Sequence, residues 1–416
     1  MLAIYLSPVY ILLNLYILRW LLRWMNVCSS YFRGKMLQVC TAAVYTFFAT
    51  AILTGFFMPS GKLERVLKLI GNYWLGVMLY ALLVILTADL IRFIIKRFVW
   101  KERKGGGIGQ AAESKEKGTN RQTLLERRRF AVTGAVCVIL TATACITGAV
   151  NARIIRTTDY NVSIDKHAGN LDHLKLVLTA DLHLGYNVGY RELEQMVRKI
   201  NAQNPDLVVI AGDIFDNEYE AMDDPDRLIS ILKGIDSKYG VYACYGNHDI
   251  EEKILAGFTF GGKHEKKESD LRMDAFLKKA GITLLQDEGV LIADCFYLYG
   301  RPDYHRPGRG IDVRRTAAEI TADMDKEKPI LVIDHQPKEL GELAEAGVDL
   351  DLCGHTHDGQ TFPGNLAVSL MWENSYGYLQ KGDMHNIVTS GAGVFGPFMR
   401  LGTKSEICVV NVDFAG

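Results

Sequence analysis

Seven side chains of metal-ligand type stand at the ends of apolar, strand-like runs in the C-terminal half of this 416-residue chain. Asp181 and His183 follow the run 174–179, and Asp213 follows 207–210. Asn247 and then His248 follow 241–245, His335 follows 330–333, and His355 and His357 follow 350–353. Carboxylate, amide oxygen and imidazole without thiolate suit divalent manganese, iron or zinc. Asp181 and His183, like His355 and His357, are two residues apart, so on an extended chain each pair points to one side. The two pairs could address neighbouring ions. Asp213 could bridge two metals about 3.5–4 Å apart, a centre that stabilises the attacking and leaving oxygens of an in-line displacement and acidifies a bridging water. A lone Asp at a strand end is ordinarily a helix cap or turn residue. The ordered set of seven is what points to a shared centre.

The elements that must position these ligands alternate. Helical spacing of apolar residues marks Leu193, Met196, Val197 and Ile200, then Leu228, Ile231 and Leu232, then Phe276 and Leu277, then Leu340, Leu343 and Ala344. Strands alternating with helices make an α/β unit, in which ligands gather outside the carboxyl ends of the strands. Two loops carry charge beside this frame. His264, with Lys263, Lys266 and Lys267, reads either as a basic lid or as a solvated loop. The run from Arg301 through Arg306 to Arg309 reads either as a phosphate grip, since Arg binds phosphate bidentately, or as an exposed Pro/Gly loop. In the first reading Arg301 and Arg306, with Asn247, contact substrate. His167 and His173 read as linker residues, and His385 as structural or exposed.

The N-terminal part is of another kind. Apolar stretches at about 2–18, 36–58, 69–91 and 130–150 are each near the ~20 residues a membrane-spanning helix needs. The first carries Pro8 and ends at Arg19, with neither a basic leader nor a small-residue cleavage site, so a signal peptide fits poorly. The loop 96–129 holds eleven Lys or Arg against four Glu and should stay cytoplasmic. That puts everything after Val150 outside the cell membrane, with 151–173 as a linker. The middle of the loop, 105–120, reads as disordered. Few ionisable residues lie away from the helix ends, which argues for an anchor rather than an ion pathway. A net charge of −1 gives no ground for a nucleic-acid partner. The eight cysteines include no C-x-x-C pair and read as small buried hydrophobes.

The five blocks Asp181-Leu182-His183, Gly212-Asp213-Ile214-Phe215-Asp216, Gly246-Asn247-His248-Asp249, His335 and Gly354-His355-Thr356-His357 appear in the order D-x-H, G-D-x-x-D, G-N-H-[DE], H, G-H-x-H. This set resembles the calcineurin-like metallophosphoesterase family over 174–416. The stretch through Asp358, Gly359 and Gln360, and the tail Ser390-Gly391-Ala392-Gly393 with Arg400 and Glu406, are similar to the membrane-linked YkuE- and YaeI-type branch and to transmembrane proteins with a metallophosphoesterase domain. The resemblance implies a four-layer α/β/β/α sandwich behind a four-helix transmembrane region. It implies one metal at Asp181, His183, Asp213 and His357, and a second at Asp213, Asn247, His335 and His355. His248 would face the substrate as catalytic residue. The activity implied is hydrolysis of a phosphodiester or pyrophosphate, lipid- or nucleotide-sugar-linked in some members, by metal-activated hydroxide. A phosphomonoesterase, or a non-catalytic sensor of phosphorylated ligands, is the alternative. Asp358 stands where that branch usually has Gly, which implies either a tuning hydrogen bond or simply a turn.

Overall fold

The computed structural model describes residues 2–59, 61–95, 97, 112–251, 254–255, 258–259, 270–308 and 310–415. The chain divides into two compact units, 2–147 and 148–416. His264, its neighbouring lysines and Arg309 lie outside the described residues.

Among the described residues, four α-helices build the first unit: α1 (Leu2–Cys28), α2 (Lys35–Phe56), α3 (Lys62–Ile94) and α4 (Ala112–Ala152), the last running into the second unit. Three are long and apolar enough to cross a membrane: Lys35–Phe56, Lys62–Ile94 and Leu124–Ala152, with mean hydropathies of 1.7, 2.2 and 2.1. Over its described residues α1 is not among them. Arg19 and Arg23 interrupt its apolar run, yet the helix continues to Cys28 rather than ending near residue 18. Residues 112–120, expected to be irregular, open α4; Ala, Glu, Lys and Arg are strong helix formers. Trp20, Tyr45, Ile85 and Phe130 pack together inside this unit. Beside them Asn14 is buried but satisfied: its Oδ1 accepts from Tyr45 Oη at 3.1 Å and Trp74 Nε1 at 3.2 Å.

The second unit is a pair of packed sheets. Its strands are β1 (Ile155–Ile164), β2 (His173–Thr179), β3 (Leu207–Ala211), β4 (Val241–Cys244), a small hairpin β5 (Ile254–Leu255) and β6 (Phe258–Thr259), β7 (Ile282–Leu284), β8 (Glu288–Ile292), β9 (Phe296–Gly300), β10 (Ile330–Ile333), β11 (Leu350–Cys353), β12 (Gly377–Lys381), β13 (Met384–Val388) and β14 (Ser405–Phe414). Its helices are α5 (Tyr190–Asn201), α6 (Pro225–Leu232), α7 (Leu271–Lys279), α8 (Ala317–Thr321), α9 (Leu340–Glu345) and α10 (Gly364–Met371). One sheet runs β1-β14-β2-β3-β4-β7, the other β12-β13-β11-β10-β9-β8. Both are mixed. β14 is antiparallel to β2 in the first, and β12 and β8 are antiparallel edges of the second.

Strand periodicity of two decides the layers. Leu174, Leu176 and Leu178 of β2 face Leu331, Ile333, Leu350 and Leu352 across the intersheet core. The opposite face of β2 meets α5, where Thr179 Oγ1 lies 3.6 Å from Met196 Sδ. On the far side, Ile330 and Val332 pack under Ala317, Ile320, Leu340 and Leu343 of α8 and α9. Each such buried aliphatic side chain contributes roughly 1.5–3 kcal/mol. The layering is α/β/β/α, as expected.

The reading of 151–173 as a linker needs correction. Ile155–Ile164 is a full edge strand in parallel register with β14 from Ile155↔Ser405 to Ile164↔Phe414, and its Val162 and Ile164 enter the core. Only its last residues, Asn161, Val162, Ser163 and Ile164, alternate polar and apolar; the polar run from Arg156 to Asp159 hid a strand with one solvated face. His173 likewise opens β2, pairing with Asp413 Oδ1 at 2.8 Å, while His167 is exposed. His385 is structural: its Nε2 donates to Ser163 O at 3.0 Å. The cysteines are all free. Cys244, Cys295, Cys353 and Cys408 are buried as expected, whereas Cys28 and Cys40 are exposed.

Candidate metal centre

Each ligand-type residue sits two to four positions past a strand end, where the backbone turns sharply. Asp181, His183, Asp213, His355 and His357 all adopt left-handed backbone, with φ of 54°, 46°, 50°, 73° and 51°. Such a conformation costs a non-glycine residue about 1–2 kcal/mol. The packed sheets hold it, and strain of this kind clusters at functional sites. Neighbouring glycines make the room. A Cβ on Gly246 would lie 2.2 Å from Asp213 Oδ1, and one on Gly212 would lie 2.6 Å from His335 Nδ1. These two block glycines are therefore clearances for ligand side chains.

Asp213 lies between two groups. On one side its Oδ2 is 3.2 Å from His335 Nε2, and His335 Nε2 is in turn 3.2 Å from Asn247 Oδ1 and 3.1 Å from His355 Nδ1. On the other side the same Oδ2 is 3.8 Å from His183 Nε2, which lies 3.0 Å from His357 Nε2. Asp181 Oδ1 is 3.7 Å from His357 Nε2, and both Asp181 oxygens accept from the His355 amide at about 3 Å. Asp181, His183 and His357 thus form one cluster of potential ligand atoms, and Asp213, His335 and His355 another. All but Asn247 and His355 are more than nine-tenths buried.

The hydrogen-bond chemistry of these clusters fits a cation. His335 Nδ1 lies 2.8 Å from the Ala211 carbonyl, so that nitrogen carries the proton. In a neutral ring Nε2 then presents a lone pair to a carboxylate, an amide oxygen and another imidazole. Buried acceptors facing acceptors are costly unless a positive charge stands among them. Without an ion, a proton on the ring meets the same demand for positive charge. Burial lowers the His335 pKa, but Asp213 and Asp181 together raise it well above the usual value. Burial also raises the Asp213 carboxyl, but the charges of His335 and His248 outweigh it and hold the group well below the usual range. By contrast burial drives His183 down to about 3 and His355 and His357 well below normal, which keeps these rings neutral as metal ligands require.

His248 is held from behind. Its backbone N–H donates to Asp213 Oδ1 at 2.8 Å. Its Nδ1 bonds Asn217 Oδ1, whose amide is fixed by Nδ2 donating to Ile250 O at 3.2 Å. That leaves Nε2 as the working nitrogen. Phe395 lies over the ring, 4.4 Å between centroids. Burial, opposed by Asp213, lowers the His248 pKa. Asp216 Oδ1 stands 3.8 Å from His183 Nδ1, which has no hydrogen-bond partner.

Sequence reasoning named several of the supporting residues without giving them a role. Asp249 is fully buried and accepts from the Phe215 amide at 2.8 Å and the Gly246 amide at 2.7 Å, tying two ligand-bearing turns together. Burial, then the neighbouring Asp213, push its pKa up to about 8. Arg400, also fully buried, donates to Gly393 O at 2.9 Å, His357 O at 3.1 Å and Ser390 O. Glu406 Oε1 accepts from Ser390 N at 3.1 Å. The tail singled out by its Ser-Gly-Ala-Gly run is therefore a buttress behind Asp181 and His357. Asp358 has φ 51°, ψ 34°, and its amide bonds Thr356 Oγ1 at 3.2 Å. It occupies a left-handed turn, which is why a glycine suits that position.

A cleft of about 530 Å³ opens beside the second cluster, lined by Asn247, His305, Arg306, Gln336, Lys338, His355, Met371 and Trp372. Of the two arginines read as a phosphate grip, Arg306 lines this cleft and Arg301 does not. Arg301 is fully buried, donating to Asp334 Oδ2 at 2.9 Å and Glu339 Oε2 at 2.6 Å, with Arg314 on the same two carboxylates. Two acids close by claimed the guanidinium for the fold. Lys338, whose Nζ donates to His305 Nε2 at 2.7 Å, supplies the cleft's other cation.

Comparison with known proteins agrees with this geometry. Residues 174–359 match the family described as calcineurin-like phosphoesterase. An uncharacterized metallophosphoesterase of Campylobacter jejuni is 31% identical over 252 residues, covering 60% of this chain and 62% of the relative. A zebrafish (Danio rerio) transmembrane protein with metallophosphoesterase domain is 28% identical over 353 residues, covering 80% of this chain and 73% of the relative. The metallophosphoesterase YkuE of Bacillus subtilis is 26% identical over 271 residues, covering 62% and 86%. The chain thus spans less than two thirds of the Campylobacter relative's length. In a chain that also carries helices long and apolar enough for a bilayer, residues 174–359 thus form a calcineurin-like metallophosphoesterase domain.

Proposed function

We propose that the protein is a membrane-anchored hydrolase of phosphodiester or pyrophosphate bonds, working with two divalent ions of manganese, iron or zinc. Asp181, His183, Asp213 and His357 would hold one ion. Asp213, Asn247, His335 and His355 would hold the other, with Asp213 shared. The observation that carries this reading is the convergence on His335 Nε2 of Asp213 Oδ2, Asn247 Oδ1 and His355 Nδ1, all within 3.2 Å. Bound ions would supply Lewis acidity at a phosphate oxygen and lower the pKa of the attacking water.

The chain's own residues do the rest. His248, its Nδ1–H given to Asn217, turns Nε2 toward the leaving oxygen; in its imidazolium form, with both nitrogens protonated, it delivers the Nε2 proton there and returns to the neutral ring. Arg306 and Lys338 neutralise the non-bridging oxygens of a substrate seated in the cleft. A cleft of about 530 Å³ leaves space for a substituent on each side of the phosphorus, which favours a diester or pyrophosphate over a monoester. The charge of the 96–129 loop supports a multi-pass arrangement with this domain on the extracytoplasmic side.

The test uses the full chain purified in detergent, stripped with a chelator and reloaded with manganese. Turnover of bis-p-nitrophenyl phosphate well above that of p-nitrophenyl phosphate is expected, with two metal equivalents by elemental analysis. A folded, metal-loaded protein that hydrolyses neither compound would point to a sensor instead.

A further inference from the structure

Apolar surface is exposed on one short helix beside the cleft. None of the eight residues of α10 is buried and none is charged. Leu370 is 89% exposed, Met371 76% and Leu366 55%, with Phe362 just ahead of the helix at 48%. Leu366 and Leu370 are one turn apart and share a face. Contiguous exposed apolar residues on a folded protein mark a contact with something apolar.

The segment 398–405 shows what that is. It grips the last turn of α4, which belongs to the same compact unit. Gly148 O accepts from Arg400 N at 2.9 Å, and Asn151 Nδ2 donates to Arg400 O at 3.0 Å and Thr403 O at 2.8 Å. The same segment holds the stretch that leads into α10: Phe362 N donates to Leu401 O at 2.8 Å, and Thr403 Oγ1 to Gln360 O at 2.5 Å. The C-terminal end of the apolar stretch Leu124–Ala152 and the start of α10 are thus fastened to one short piece of chain. A helix crossing a bilayer must leave it near that end, so the lipid surface passes close to α10.

We propose that α10 is an interfacial helix, resting on the bilayer with Phe362, Leu366, Leu370 and Met371 in the headgroup–acyl boundary. Interfacial helices bury an apolar face about 5–10 Å into that boundary. The inference rests on α4 crossing the membrane and is independent of what the metal centre hydrolyses. Met371, which also lines the cleft, gives the cleft one wall at the level of the lipid.

Photo-crosslinking of the full chain in phospholipid vesicles tests it. Leu366→p-benzoylphenylalanine and Leu370→p-benzoylphenylalanine are compared with Leu291→p-benzoylphenylalanine, 41% exposed on β8, which is the opposite edge of the second sheet from β12. Ile139→p-benzoylphenylalanine, within α4, reports whether that helix meets lipid. The expected result is lipid adducts at 366, 370 and 139, about tenfold or more above those at 291. Adducts at 139 but not at 366 or 370 would overturn the proposal. So would crosslinks from 366 and 370 to a second protein chain. Absence of lipid adducts at 139 would remove the premise and the proposal with it. None of the four positions belongs to the metal centre, so an unchanged rate on a soluble diester certifies folding in each variant.

Discussion

His335 Nε2 and Asp213 Oδ2 face each other at 3.2 Å while the other nitrogen of that ring is committed to the Ala211 carbonyl. The contact is stable only with a positive charge between or upon these groups. Replacing Asp213 with Ala removes the one carboxylate that reaches both clusters. The variant is expected to bind less than half the metal of the parent and to lose at least about 10³-fold in kcat. Elemental analysis and diester turnover check it together.

His248 takes no part in the Asp213–His335 contact, so its role separates from metal binding. His248→Ala should retain its metals and lose about 10²–10⁴ in kcat, the range for a positioned proton donor. A leaving group that needs no proton, such as p-nitrophenolate, should shrink the loss. An equal loss with every leaving group would assign His248 to holding the phosphate.

Arg306 and Arg301 should part company. Arg306→Ala is expected to raise KM about tenfold with little change in thermal stability, because its charge faces the cleft. Arg301→Ala strands Asp334 in the interior without one of its two partners. Breaking a buried pair in this way costs about 3–5 kcal/mol, read as a fall in the unfolding midpoint.

Much of this centre was legible in the sequence because strand ends followed by acids, amide and imidazoles recur in order. Asp181, His183, Asp213, Asn247, His335, His355 and His357 do come together around Asp213. Arg301 was not legible: an arginine in a Pro/Gly loop reads as exposed until Asp334 and Glu339 are seen to enclose it, and nothing local announces that pairing. β1 was missed for a related reason. Its partner β14 lies some 250 positions away (Ile155↔Ser405), and a solvated edge strand carries too few apolar residues to signal itself.

Acid should loosen the buttress behind the centre. Burial raises the Glu406 carboxyl, but bonds from Thr158, Ser390 N and Lys404 outweigh it and leave the pKa below its ordinary value of 4.5. A carboxylate depressed in the folded state stabilises the protein above its unfolded pKa, and that contribution disappears as pH falls through the folded pKa. Below about pH 4.5 the stability of the parent should therefore drop with a steeper slope than that of Glu406→Gln. Chemical denaturation at a series of pH values measures both slopes; parallel curves would show that Glu406 contributes no such term.

The place of β14 has a bearing on how the molecule is made. It lies between β1, which follows directly on α4, and β2, which leads to Asp181. During synthesis both flanking strands emerge early and must wait, with backbone donors and acceptors unpaired, until the last strand is translated and threads between them. Pairing over such a separation is slow and leaves edges open to wrong partners. A ribosome that stops before Ser405 would release a chain whose β1 has no neighbour in the sheet, and whose β2, the strand that leads to Asp181, is left as an open edge.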